Sequence, residues 1–173
     1  MKHNPVNILL HEHSIIVSLL NKVNDLGKHV GKKEYYMEQM NNVLAFLRNY
    51  SDGYHHKKEE EILFPALQEH PDFHLLAMID ELNEHHESFR EYTREIKECI
   101  NAGNLEKAQS ILEKYTSDLS DHIAIENDEL FVLTENLFTE EELEKMYFHF
   151  QDADMELGGA EKQEMEKFPE TIS

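Results

Sequence analysis

Leu9, Leu10, Ile16, Val17 and Leu20 recur with the three-and-four spacing of a single helix face. Asn4-Pro5 just ahead of them offers a cap and a proline suited to the first helical position. A first helix is therefore predicted over about 5–27, closed by Gly27 and Gly31. A second periodic segment, about 34–68, carries Met40, Val43, Leu44, Leu47, Leu63, Phe64 and Leu67, with Ser51-Asp52-Gly53 placed to bend or break it. Pro71-Asp72 restarts the chain, and Ile79, Leu82, Phe89 and Ile96 form the apolar rhythm of a third helix that stops at Asn101-Ala102-Gly103-Asn104. A fourth runs from about 105 to 137, and Thr139 with Glu142 reads as a capping box for a fifth over about 140–157, bearing Leu143, Met146, Tyr147 and Phe150. Residues from about 158 to 173 read as a polar tail. No strand pattern is present. Four long helices with short connections predict an all-α protein, an antiparallel up-down four-helix bundle with an additional C-terminal helix, in one domain.

A length of 173 residues and a hydrophobic content of 40% suffice for one such core. The net charge of −20 argues against nucleic acid and anionic membranes as partners, since both select basic surfaces. No apolar run has the length of a membrane span and Met1-Lys2-His3-Asn4-Pro5 lacks the apolar stretch of a signal peptide, so a cytoplasmic protein is expected. Cys99 is the only cysteine, which excludes an internal disulfide and leaves any metal to histidine and carboxylate.

The chain has twelve histidines, and three His-x-x-x-Glu spacings occur. Residues four apart share a helix side, so each pair can aim an imidazole and a carboxylate at one point. In so acidic a chain some pairs arise by chance. The setting of each histidine is more informative, because an ionisable group on an apolar stripe has to be paired or metal-bound. His13 lies with Leu9, Leu10, Ile16, Val17 and Leu20, whereas His11 lies with Asn7, Ser14 and Ser18. His56 lines up with Glu60, Leu63, Phe64 and Leu67, while His55 shares a more polar side with Ser51, Lys58 and Glu59. His86 is in register with Ile79, Leu82, Phe89 and Thr93; His85 also neighbours Met78, Leu82 and Phe89, so both stay open, with His86 preferred. His122 and Glu126 fall on the stripe of Tyr115, Leu119, Leu130 and Leu133, with Glu129 one turn further.

The depths agree. Measured from one end of an up-down bundle, His13 lies about 12 Å in, His56 and Glu60 about 15 Å, and His86, His122 and Glu126 about 20 Å. His13, His56, Glu60, His86, His122 and Glu126 are therefore the candidate metal ligands. Six nitrogen and oxygen donors exceed the needs of one tetrahedral zinc and suit two iron ions bridged by carboxylates.

Three segments carry a resemblance: His55-His56-x-x-Glu59-Glu60-x-x-Leu63-Phe64-Pro65, Glu84-x-His86-Glu87-x-x-Arg90 and His122-Ile123-x-x-Glu126-x-x-x-Leu130-Phe131. They are similar to the recurring segments of the hemerythrin-like, or HHE cation-binding, family, over at least residues 5–137. The resemblance implies a non-haem diiron centre on the six candidates, with Glu60 and Glu126 bridging, an oxo or hydroxo bridge, and an open position for dioxygen, nitric oxide or peroxide. The oxygen-carrying hemerythrins place a second histidine four residues before the third-helix ligand. Leu82 stands there in this chain, and His55, Tyr54, Tyr115 and Glu129 are the candidates to make up the shortage. The expected function is small-ligand binding for storage, sensing or detoxification. The alternatives are peroxide disproportionation by a diiron enzyme and a structural metal site in an interaction module. Ferritin-like proteins use Glu-x-x-His pairs, and the chain contains none.

Overall fold

The computed structural model describes residues 2–172, and these are helical almost throughout, with no strand among them. Helix α1 spans Pro5–Gly27; the Asn4 side chain accepts the Val6 N–H at 3.0 Å and Pro5 fills a position where no amide donor is needed. Helix α2, Lys33–Phe46, continues without interruption through two π-helical stretches, π1 (Leu47–His56) and π2 (Glu59–Leu63), into α3 (Phe64–Glu69). Helix α4 covers Leu76–Asn101 and α5 covers Leu105–Ile125; α5 passes through a third π stretch, π3 (Glu126–Leu130), into α6 (Phe131–Leu137). Helix α7, Glu140–Leu157, opens on the capping box expected of Thr139 and Glu142. No helix among the described residues is long and apolar enough to cross a membrane.

The core is divided in two. One apolar cluster contains Ile16, Leu19, Tyr50, Tyr54, Phe89, Ile96, Tyr115 and Leu119, and the other contains Val6, Leu9, Leu63, Phe64, Leu82, Leu130 and Phe131. Along α1 the chain passes from the second cluster at Leu9 to the first at Ile16; the next long rod passes back from Tyr54 to Leu63. Helix α4 crosses from Leu82 to Phe89, and the α5–π3 rod returns from Leu119 to Leu130. The buried histidines His13, His55, His56, His86 and His122, with the buried Glu59 and Glu126, fall between these paired positions along the rods.

Two expectations need correction. The third helix starts at Leu76 rather than at Pro71-Asp72. Residues past 158 are not a polar tail: Gly159–Thr171 form helix α8. Met165 and Phe168 on it, with Ile172 just past its end, are spaced to make one narrow stripe, which packs on the first cluster although the segment is mostly polar. Phe168 meets Phe46 at 5.7 Å between ring centroids, and the Tyr50 hydroxyl donates to Glu166 Oε1 at 2.8 Å.

The turn between α7 and α8 rests on Gly158, whose φ of +109° is open to glycine and strained for L side chains. The Tyr54 hydroxyl fixes this turn by donating to the carbonyls of Leu157 and Gly158 at 3.0 and 2.7 Å. Gly158→Ala is expected to lower unfolding free energy by about 1–3 kcal/mol. Gly159→Ala, where an added Cβ meets nothing within 4 Å, should leave it nearly unchanged, both read by urea denaturation.

Candidate metal centre

The signal for the centre's construction is a spacing of four. Leu47, Ser51, His55, Glu59, Leu63 and Leu67 are all at most 1% exposed. In an uninterrupted α-helix such a row would rotate by about 40° at each step and leave the core within a few turns. The wider π turns of π1 and π2 cancel that drift and keep the whole row facing inward. The same holds for His122, Glu126, Leu130 and Thr134, where π3 begins at Glu126.

The rods bring seven residues into two adjoining groups. His56, Glu59, His86 and His122 form one, and His13, His55, Glu59 and Glu126 the other; within each, one donor atom per residue lies within 4.8 Å of the rest. Glu59 belongs to both. Glu126 reaches across as well, with Oε2 3.2 Å from His13 Nε2 and Oε1 3.0 Å from His122 Nε2. His55 Nε2 lies 3.1 Å from Glu59 Oε1, and His86 Nε2 lies 3.3 Å from Glu59 Oε2. Donors bound at about 2.1 Å to one cation stand about 3 Å apart, so these separations suit the edges of a coordination shell.

Five of the six sequence candidates, His13, His56, His86, His122 and Glu126, are thus brought together. Glu60 lies outside both groups, partly exposed, and accepts from His86 Nδ1 and Arg90 Nη2, each at 2.7 Å. The carboxylate facing inward is its neighbour Glu59, accompanied by His55. A reading at α-helical period put His55 and Glu59 on the polar side because it did not include the π turns. His85 is one third exposed with Nδ1 3.1 Å from His122 Nδ1, outside both groups. Of the other candidates, Glu129 is exposed, Tyr54 binds the α7–α8 turn and Tyr115 stacks on Phe89 at 5.3 Å.

Each inward histidine is held from behind. His13 Nδ1 donates to Asn127 Oδ1 at 2.7 Å, His55 Nδ1 to Glu12 Oε2 at 2.8 Å and His56 Nδ1 to Asp52 Oδ1 at 3.2 Å. These bonds set the ring tautomer so that Nε2 presents its lone pair to the centre. Arg90 ties two of the supports together, donating from Nη2 to Asp52 at 2.8 Å and to Glu60 at 2.7 Å. Glu12, fully buried, also takes Lys58 and Lys162, each at 2.7 Å, and both lysines pair with Asp154 of α7.

The Nε2 atoms of His13, His55 and His56 and both oxygens of Glu59 and Glu126 are buried without a hydrogen-bond partner. Buried polar atoms left unpaired cost free energy, and so many facing one point fit a cation that accepts their lone pairs. Without a cation, protons have to balance the charge. Burial lowers the affinity of His55 for a proton, but the Glu59 and Glu12 carboxylates outweigh it and raise its pKa to about 10. Burial likewise opposes protonation of His86, and Glu59 and Glu60 raise it to about 9. His56 goes the other way, held well below its usual value by burial and by the charge of His86.

Residues 4–134 match the hemerythrin HHE cation-binding domain model. The chain belongs to the hemerythrin family. No curated protein and no solved structure matches it. The hemerythrin match ends in α6 and does not cover α7 or α8, which supply Asp154 and Lys162.

Two outcomes follow from this geometry. Glu59→Gln should abolish most metal binding, since the shared carboxylate is lost to both groups, while Glu60→Gln should weaken it by about 10–100-fold at most through His86; titration with Zn²⁺ or Fe²⁺ separates them. His55 and His86 have folded pKa values above the unfolded value of about 6.5, so the stability they lend the metal-free protein is complete below that pH and lost as pH rises through about 9–10. Thermal unfolding of metal-free protein should therefore move to lower temperature between those limits, and metal-loaded protein should not show this decline.

Proposed function

We propose that this hemerythrin-family chain holds two iron ions and binds dioxygen, or nitric oxide or peroxide, for storage, sensing or detoxification. The observation that carries the reading is the pair of donor groups sharing Glu59. Five imidazoles and two carboxylates without sulfur suit iron in a dinuclear site. The alternation of four rods between the two apolar clusters supports an antiparallel up-down four-helix bundle around it. His13, His55, Glu59 and Glu126 offer four donors to one ion, which leaves a six-coordinate ion room for a small ligand.

Bound as a ferrous pair, the ions would supply one electron each to such a ligand. The chain's own residues orient and exclude. His13 stacks on Phe131 at 5.3 Å, His86 on Phe64 at 5.8 Å and His56 on Phe89 at 6.0 Å, so ring planes are fixed by packing as well as by hydrogen bonds. The apolar clusters on either side restrict water. His56, in one group with His86 and His122, supplies the imidazole that Leu82 does not, while His55 joins His13 in the other group, and we therefore favour ligand binding over peroxide turnover.

Anaerobic loading should give about two iron ions per chain, and addition of oxygen or azide should produce charge-transfer bands in the near-ultraviolet and visible. One ion per chain, or a featureless spectrum with iron bound, would overturn the proposal.

A further inference from the structure

Beside the metal layer, and bordered by the Phe89 and Asp52 that also hold His56, π1, α4 and α5 line a cavity of about 350 Å³. Its floor is Leu47, Phe89 and Tyr115, none more than 3% exposed. Thr93 and one carboxylate, Asp52, whose charge Arg90 answers, also line it, together with Arg48, Arg90, Arg94 and Lys97. That is a quarter of the 16 basic residues in a chain with 36 acidic ones, gathered on one small opening.

Two of these cations are committed. Arg90 is held by Asp52, Glu60 and Glu87, and Arg94 by Glu91 and Glu98 on its own helix. Arg48 and Lys97, one from each of two walls, form no ion pair among the described residues, and both are exposed. In so acidic a molecule, free cations beside an apolar floor make a site for a ligand that is anionic at one end and apolar at the other. An inorganic anion would leave the floor unfilled, and a neutral apolar molecule would leave the charges unanswered. The volume is near the lower end of small-molecule sites.

We propose that this cavity binds a small organic anion, a carboxylate or phosphate monoester on an alkyl or aryl body, with its head on Arg48 and Lys97 and its body against Phe89 and Tyr115. Binding is electrostatic at the mouth and so weakens with salt. The lining contains none of the metal donors, although Phe89 and Asp52 stand between it and His56.

Calorimetric titration of the protein, metal-loaded and metal-free, with octanoate, octyl phosphate and octanol tests this. At least one anion should bind saturably at one per chain in both forms, octanol should not, and the tighter anion identifies the head group. The double variant R48E/K97E should lose at least tenfold in affinity while keeping its helical spectrum and metal content. Thr93→Phe, which fills the cavity from its wall, should block binding without changing the charges. Absence of saturable anion binding, equal binding of octanol, or unchanged affinity in both variants would overturn the assignment.

Discussion

Two carboxylates, Glu59 and Glu126, are fully enclosed in the middle of the protein with no hydrogen-bond donor aligned on either. Charge so far from water is tolerable only beside compensating charge. His55 and His86 meet this requirement in part by taking protons, and the five imidazoles and two carboxylates meet it in full by sharing a cation. The rest of the molecule is organised around the same need. Apolar residues fill both ends of the bundle, and the polar layer is confined to the gap between.

Compensation extends outward in steps. Inward rings lean on Asn127, Glu12, Asp52 and Glu60, and the three acids among these lean in turn on Arg90, Lys58 and Lys162. Positive and negative groups alternate outward through these supports, whereas at the centre Glu59 faces Glu126 and His56 faces His86, like against like. The acidic composition of the chain makes the few basic residues valuable in these positions.

Much of this was legible in the residues. The cap at Asn4-Pro5, the box at Thr139 and Glu142, and the apolar stripes follow local rules that act over a turn or two, and the helices they predict are present. His13, His122 and Glu126 stood on clean stripes, and His86 was preferred over His85 without excluding it. Residues 55–60 were harder, because three candidate ligands and a glycine nearby make more than one phase plausible, and the π turns that select His55 and Glu59 depend on packing between rods. The repeated spacing of four from Leu47 to Leu67 was the available clue. Glu12 carries no pattern of its own: its role comes from Lys58, Lys162 and His55, distant in sequence and visible only once folded.

The clasp at Glu12 ties the family-matched rods to the C-terminal helices. Lys58 is 1% exposed, and its countercharges come from α1 and from α7; Lys162 of α8 completes the group. A fragment ending where recognisable family sequence ends would strand a buried ammonium with half its partners and uncover the Tyr50 and Tyr54 hydroxyls. The segment that defines kinship is thus shorter than the segment that sustains the architecture, and the C-terminal helices act as a built-in strut rather than an appendage.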